Sequence, residues 1–209
     1  MVKLSLWSKK NPFGVKFMSN LTKEIQYQLR FALPIWFFSL LTSFLPDIGP
    51  IIRLRGLLIS LFLPGKPKQL LIGRDVTLLS INKLKLGNGV YIAKGCWLNA
   101  VGGITFEDEV ILAPYVVMSS TNHGFKEGSV KRGGSHPAPI VVKFGTWIAA
   151  HSVIAAGATV GKGNIVGANS VVTKDTPDNV IMAGLPAKVV KDRVDNPSSI
   201  SSKHDVVVK

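Results

Sequence analysis

A mainly β rod of stacked triangular coils, preceded by an apolar helical segment, is the fold class that three observations predict. They are a six-residue period of aliphatic residues, compact residues at a fixed offset from each, and one long break in the period. Val142, Ile148, Ile154, Val160, Val166 and Val172 stand at unbroken intervals of six. Four positions after them come Thr146, Ser152, Ala158, Asn164, Ser170 and Thr176, all compact. An α-helix repeats every 3.6 residues and a half-buried strand every two, so neither fits the pattern. A short strand plus a turn, repeated, does fit. Three hexads then make a coil of about eighteen residues, and coils pair through parallel strands roughly 4.8 Å apart. No coil has a core of its own, so stability has to come from stacking.

Taken in chain order, the basic and apolar part comes first. The 209 residues carry 25 Lys+Arg against 12 Asp+Glu, a net charge of +13. Residues 1–70 hold ten of those cations and two of the anions, +8. Hydrophobic residues make up 46% and charged ones 18%, which excludes a wholly disordered chain. Phe31 to Leu45 carries no charge and is broken near its start by Pro34; Ile51 to Leu63 is the second apolar stretch. Each is shorter than the ~20 residues that cross a bilayer core, so each is expected to be a helix lying at an interface or capping the domain that follows. The aromatics sit in one block instead of alternating with Arg and Lys. That suits an anionic membrane surface, with peripheral association, and no nucleic-acid partner is expected. A cleaved signal peptide fits poorly, because about thirty mixed residues precede the apolar block. The expected location is the cytoplasm, at the inner face of the cell membrane.

The rod is expected over 71–193, in about five coils. Its register runs through Leu86, Ile92 and Leu98, slips by two at Gly102-Gly103, and resumes at Phe106, Leu112 and Met118. Cys96, the one cysteine, falls at a compact inward position; alone it excludes a disulfide framework and a zinc site of several thiolates. After Met118 the period stops and returns at Val142, so residues 119–141 are expected to leave the rod as an extruded loop. This loop holds His123, His136, Glu127, Lys131 and Arg132. Loops on rigid scaffolds carry much of the chemistry of such folds. Residues 194–209 read as a mobile tail.

Several of these features occur together in one known family. The anchor run, Asn122-His123, Pro139-Ile140, Trp147-Ile148 and the closing block VGANSVVTKDTPDNVIMAGLPAKVV from Val166 to Val190 carry the likeness. Over about 70–193 the chain resembles the hexapeptide-repeat acyltransferases, in particular the maltose, galactoside and capsular-polysaccharide O-acetyltransferases. The resemblance implies a left-handed parallel β-helix, a homotrimer, and transfer of an acetyl group from acetyl-CoA, as co-substrate, to a sugar hydroxyl. It implies His123 as general base, with Asn99 and Asn122 binding the acceptor. It further implies that Trp147, Ala150 and Ala168 line the acetyl-CoA groove, that Thr173 and Lys174 contact the pantetheine or nucleotide end, and that Lys188 and Lys191 meet phosphate. The family often has Arg at those last two sites, and Lys offers a point charge without bidentate geometry.

The chemistry asks for such residues. A sugar hydroxyl is almost wholly neutral at pH 7, and an imidazole with a pKa of about 6.5 can take its proton and release it again. Glu127 is one candidate for orienting that ring, and a backbone N–H on a neighbouring corner would meet the oxyanion. No metal is expected: a metal-bound lyase on this fold needs three convergent histidines, and positions 123, 136 and 151 do not provide them. Two further readings stay open, an acetyltransferase for a non-glycan acceptor and a non-catalytic β-helix scaffold.

Overall fold

The computed structural model describes residues 21–193. The first twenty residues of the basic segment and the tail expected at 194–209 lie outside the described residues.

Residues 21–42 form one helical run: α-helix over 21–27, a π-helical segment Gln28–Ala32, then α1 (Leu33–Thr42). Pro34 does not break it. The wider π turn immediately ahead of it makes room for the ring inside the continuous helix. After a short link, α2 (Gly49–Ser60) again carries proline in its first turn. Phe38 of α1 stacks on Phe62 just beyond α2, with ring centroids 5.7 Å apart. Gly56 lies so close to the Leu70 carbonyl that no side chain fits there. The two helices cap the first coil, with Ile35, Ile59 and Leu63 joining its core.

The rod follows in sequence order. Its first coil is β1 (Leu71–Ile72), β2 (Thr77–Leu79) and β3 (Leu84–Leu86). The second is β4 (Tyr91–Ile92), β5 (Trp97–Asn99) and β6 (Ile104–Phe106). In the third, β7 (Ile111–Leu112) and β8 (Val117–Ser119) are followed by an excursion containing β9 (Thr121–His123), α3 (Val130–Gly133) and β10 (Ser135–Pro137), before β11 (Ile140–Val142) closes the coil. The fourth is β12 (Trp147–Ile148), β13 (Val153–Ile154) and β14 (Thr159–Val160); β15 (Ile165–Val166) and β16 (Val171–Val172) make the fifth. β17 (Val180–Gly184) starts a sixth turn and pairs back with β18 (Ala187–Asp192) as an antiparallel hairpin.

Three parallel sheets result, one per side of the prism. Side one runs β1-β4-β7-β12-β15-β17, side two β2-β5-β8-β13-β16, and side three β3-β6-β11-β14. The chain is therefore a parallel β-helix of hexapeptide repeats, as the period required. All six anchors from Val142 to Val172 are buried. The compact residues four positions on lie at the inner corners, and the polar ones among them are hydrogen-bonded: Thr146 donates to Gly161 O at 2.7 Å and Ser152 to Gly167 O at 2.9 Å.

Coil length departs from the expected eighteen. Leu71 pairs with Tyr91 and Tyr91 with Ile111, a repeat of twenty; Trp147 pairs with Ile165, a repeat of eighteen. The early coils are longer because side three carries three-residue strands whose two ends both point inward, as Leu84 with Leu86 and Ile104 with Phe106 do. The slip of two is therefore real, but it falls between Ile104 and Phe106 and not at Gly102-Gly103. Ile104 keeps the interval from Leu98, and Phe106 opens the next run. The extruded stretch is also slightly shorter than 119–141, since Ser119 still belongs to β8 and Ile140 already pairs with Ile104 in β11.

Candidate functional site

The excursion leaves the rod where side two meets side three. Its neck is closed by Ala138 N donating to Ser120 O at 2.9 Å, and the Ser120 hydroxyl is held one coil below, between Gly102 N and Asn99 O at 2.8 Å each. Gly102 lies directly beneath: a Cβ there would run into Ser120 O and the Ala138 backbone. That close approach explains one of the two glycines at the apparent slip. Above the neck, β9 and β10 form a short antiparallel ladder that pairs His123 with Ser135 and Asn122 with His136. The Thr121 and Ser135 hydroxyls add a 2.6 Å hydrogen bond across it.

His123 ends β9 and is exposed, as is Asn122. Immediately after it the chain is pinched. Gly124 packs against Gly133 and the His136 ring so tightly that neither glycine has room for a Cβ, and Gly124 N donates to Gly134 O at 2.9 Å. His136 is turned to the Gly133 carbonyl at 3.2 Å. Glu127 pairs with Arg132 at 3.2 Å, both side chains largely in solvent, and not with His123. Asn99 lies one coil below Ser119 in register, on the edge from which the hairpin rises.

Toward the C-terminal end the same edge continues. Gly157, one coil on, has the Ala138 methyl 3.5 Å from where its own Cβ would be, and a coil further Asp175 accepts from Thr159 N at 2.7 Å. Thr173 and Lys174 immediately precede Asp175 and are exposed. His123, Asn122, Asn99, Thr173 and Lys174 therefore share one edge. The hairpin neck and Asp175 are two rungs apart, about 10 Å at the usual strand spacing.

The remaining expected residues lie elsewhere on the same chain. Trp147 projects from side one, exposed, between Ile111 and Ile165. Ala150 and Ala168 belong to the edge between sides one and two, where Asn169 N donates to Ala150 O. His151 sits on that edge too, exposed and stacked on Tyr115 at 5.1 Å with the planes 15° apart. Lys188 and Lys191 are exposed on β18, at the margin of side one. Residues a hexad apart go to successive sides of a triangle, so one chain cannot gather all of them into a single groove. The packed glycines 102, 124 and 133 and the Tyr115–His151 stack were missed by sequence reading. The glycine pair at 102–103 was the available signal.

A parallel hexapeptide β-helix with exposed His123 and His136 on an extruded hairpin defines a class, and comparison with known proteins gives its family. The family model described as "Bacterial transferase hexapeptide (six repeats)" matches residues 139–174. WcaF of Escherichia coli (strain K12), assigned as a colanic acid biosynthesis acetyltransferase, is 30% identical over 145 residues, 68% of this chain and 77% of that one. The galactoside O-acetyltransferase of Escherichia coli (strain K12) is 39% identical over 89 residues, 43% of this chain and 44% of that protein. That match spans less than half of the relative's length. A galactoside acetyltransferase solved in complex with coenzyme A superimposes with a TM-score of 0.60 at 25% identity, covering 78% of this chain and 80% of that one. A maltose O-acetyltransferase from Clostridium difficile 630 shares the fold, with a TM-score of 0.68 at 24% identity, over 77% and 85% of the two chains. The chain belongs to the hexapeptide-repeat acetyltransferase family.

Proposed function

We propose that this protein moves an acetyl group from acetyl-CoA to a hydroxyl of a sugar, in a surface polysaccharide or its precursor, at the cytoplasmic face of the membrane. The observation that carries this reading is the exposed imidazole of His123, set by a hydrogen-bonded hairpin on the edge that also bears Asn99, Asn122, Thr173 and Lys174. Membership of the family supports the donor, and the relatives' acceptors support the substrate class.

His123 acts as general base. It takes the proton of the sugar hydroxyl as that oxygen attacks the thioester carbonyl; the carbon–sulfur bond then breaks, and the imidazolium returns the proton to the departing thiolate. Asn99 and Asn122 hold the acceptor at the hairpin root. Thr173 and Lys174 receive the far end of the donor. Trp147, Ala150, Ala168, Lys188 and Lys191 contribute from a neighbouring rod, because they stand on other edges of the prism. That division supports a homotrimer whose donor sites lie between adjacent copies.

Thiol release from acetyl-CoA, followed with a panel of glycans, tests the proposal. Wild type is expected to turn over with at least one acetylatable glycan, and His123→Ala to lose about 100-fold or more. Full transfer by His123→Ala removes His123 as base. Turnover with sugar-free hydroxyl or amine acceptors alone moves the substrate class, and no donor binding at all leaves a non-catalytic rod.

A further inference from the structure

We infer that the outer side of the α1–α2 cap is a docking surface for an anionic lipid bilayer, with headgroup phosphates taken by Arg53, Lys66 and Lys68 at the groove beside α2. The inference deepens the proposed location at a membrane and rests on it, and it assigns residues and lipid charge to that location.

Each helix of the cap turns one side to the rod, burying Ile35 and Thr42 from α1 and Arg55, Gly56, Ile59 and Ser60 from α2. What faces away is apolar. On α1 and just beyond it Trp36 is 59% exposed, Phe37 53% and Phe44 74%, and on α2 Leu57 is 61% exposed with Leu54 and Leu61 beside it. An apolar face of this size on a water-exposed surface marks an interaction site. Among the described residues no helix is long and apolar enough to cross a membrane. On a bilayer such a surface would lie in the interface, its aromatic side chains reaching the acyl boundary.

Charge decides the occupant. A groove of about 790 Å³ runs between α2 and the first coil, with Leu54, Leu57 and Leu61 along its apolar wall and Arg53, Lys66 and Lys68 on its lining. Among the described residues none of these three cations is in an ion pair. The cap's Asp47 is already held by Arg55, and Glu24 accepts from Gln28. A second copy of this surface would bring like charges together, whereas an anionic bilayer complements both the apolar face and its cationic border.

The cap is also rigidly joined to the rod. Buried Arg55 donates to Thr42 Oγ1 and Thr42 O at 3.1 Å, to Asp47 Oδ1 at 2.9 Å and to Ile72 O at 2.8 Å, tying α1, the link, α2 and β1 together. Docking would therefore hold the whole prism, and the His123 edge with it, in a fixed attitude to the lipid.

The test is co-sedimentation of the full chain with vesicles of phosphatidylcholine alone and of phosphatidylcholine with phosphatidylglycerol, without acceptor or donor. Wild type is expected to pellet only with the anionic vesicles and to be released by salt. Replacing the three cations together, Arg53→Gln, Lys66→Gln and Lys68→Gln, is expected to weaken binding about 100-fold, at roughly a factor of five per charge. Trp36→Ser with Phe44→Ser is expected to weaken it as well, while acetyl transfer to a soluble acceptor stays unchanged in both variants. Equal binding to neutral and anionic vesicles, or no binding, overturns the inference. So does a patch variant that changes sedimenting mass in vesicle-free solution, which would make a second copy the occupant. Vesicle binding is read separately from turnover, so this inference and the acetyltransferase reading can fail independently.

Discussion

Inside the second coil the Cys96 thiol donates to the Ala113 carbonyl at 3.2 Å, and burial pushes its pKa up to about 11, against the pull of nearby backbone hydrogen bonds. The folded state thus favours the neutral thiol. In the unfolded chain it ionises at about pH 8.5, so its contribution is complete below that and is lost as pH rises toward 11. Urea titrations from pH 8 to 11 should show wild type losing on the order of 2–3 kcal/mol more than Cys96→Ala, whose thiol is absent. Asn164 is the polar counterpart on an inner corner. Its amide donates to Thr176 Oγ1 and Pro177 O at 2.8 Å each and accepts from Val180 N at 2.9 Å. Asn164→Leu takes this partner from Pro177 O and Val180 N and is expected to cost about 2–3 kcal/mol, seen as a lower thermal midpoint. The sequence showed that these corner positions are compact. It could not show that their polar atoms stitch one coil to the next, because their partners lie twelve to sixteen residues away. Likewise His123 could be picked from its place at the loop's start, whereas the failure of Glu127 to reach it depends on how the hairpin folds.

Two elements carry most of what was not legible, the cap and the hairpin. The two apolar stretches announced helices, but nothing local announced that Arg55 would be buried as their fastening. Removing a buried, hydrogen-bonded charge strands its partners, so Arg55→Ala is expected to destabilise by about 3–5 kcal/mol and to make α1 and α2 open to proteolysis before the rod unfolds. In the hairpin, Gly124 is required for space, not for an unusual backbone angle, since Gly133 and His136 press on it. Gly124→Ala is expected to leave the thermal midpoint nearly unchanged, since the hairpin lies outside the stacked core. It should lower transfer at least tenfold by displacing His123, a loss to be read in kcat at saturating donor.

For the whole molecule, stacking makes the excursion separable from the scaffold. The equivalent links in the first two coils, Ser80–Lys83 and Ala100–Gly103, have only four residues between strands. Replacing 121–138 by two glycines, between Ser120 and Pro139, restores a coil of that length. The shortened chain is expected to unfold cooperatively within a few degrees of wild type and to release no thiol from acetyl-CoA. The proposed trimer predicts a sedimenting mass of about three times the 22.5 kDa chain. By itself the sequence determined the β-helix, the inward anchors and the point where the hairpin leaves, because a hexad period is local and repeats often enough to be read. Only the tertiary structure decided which edge each site residue occupies, how twenty-residue coils accommodate the glycine pair, and that a buried arginine locks the cap. Those outcomes depend on contacts between distant coils, where a triangle sends neighbouring hexads to different sides.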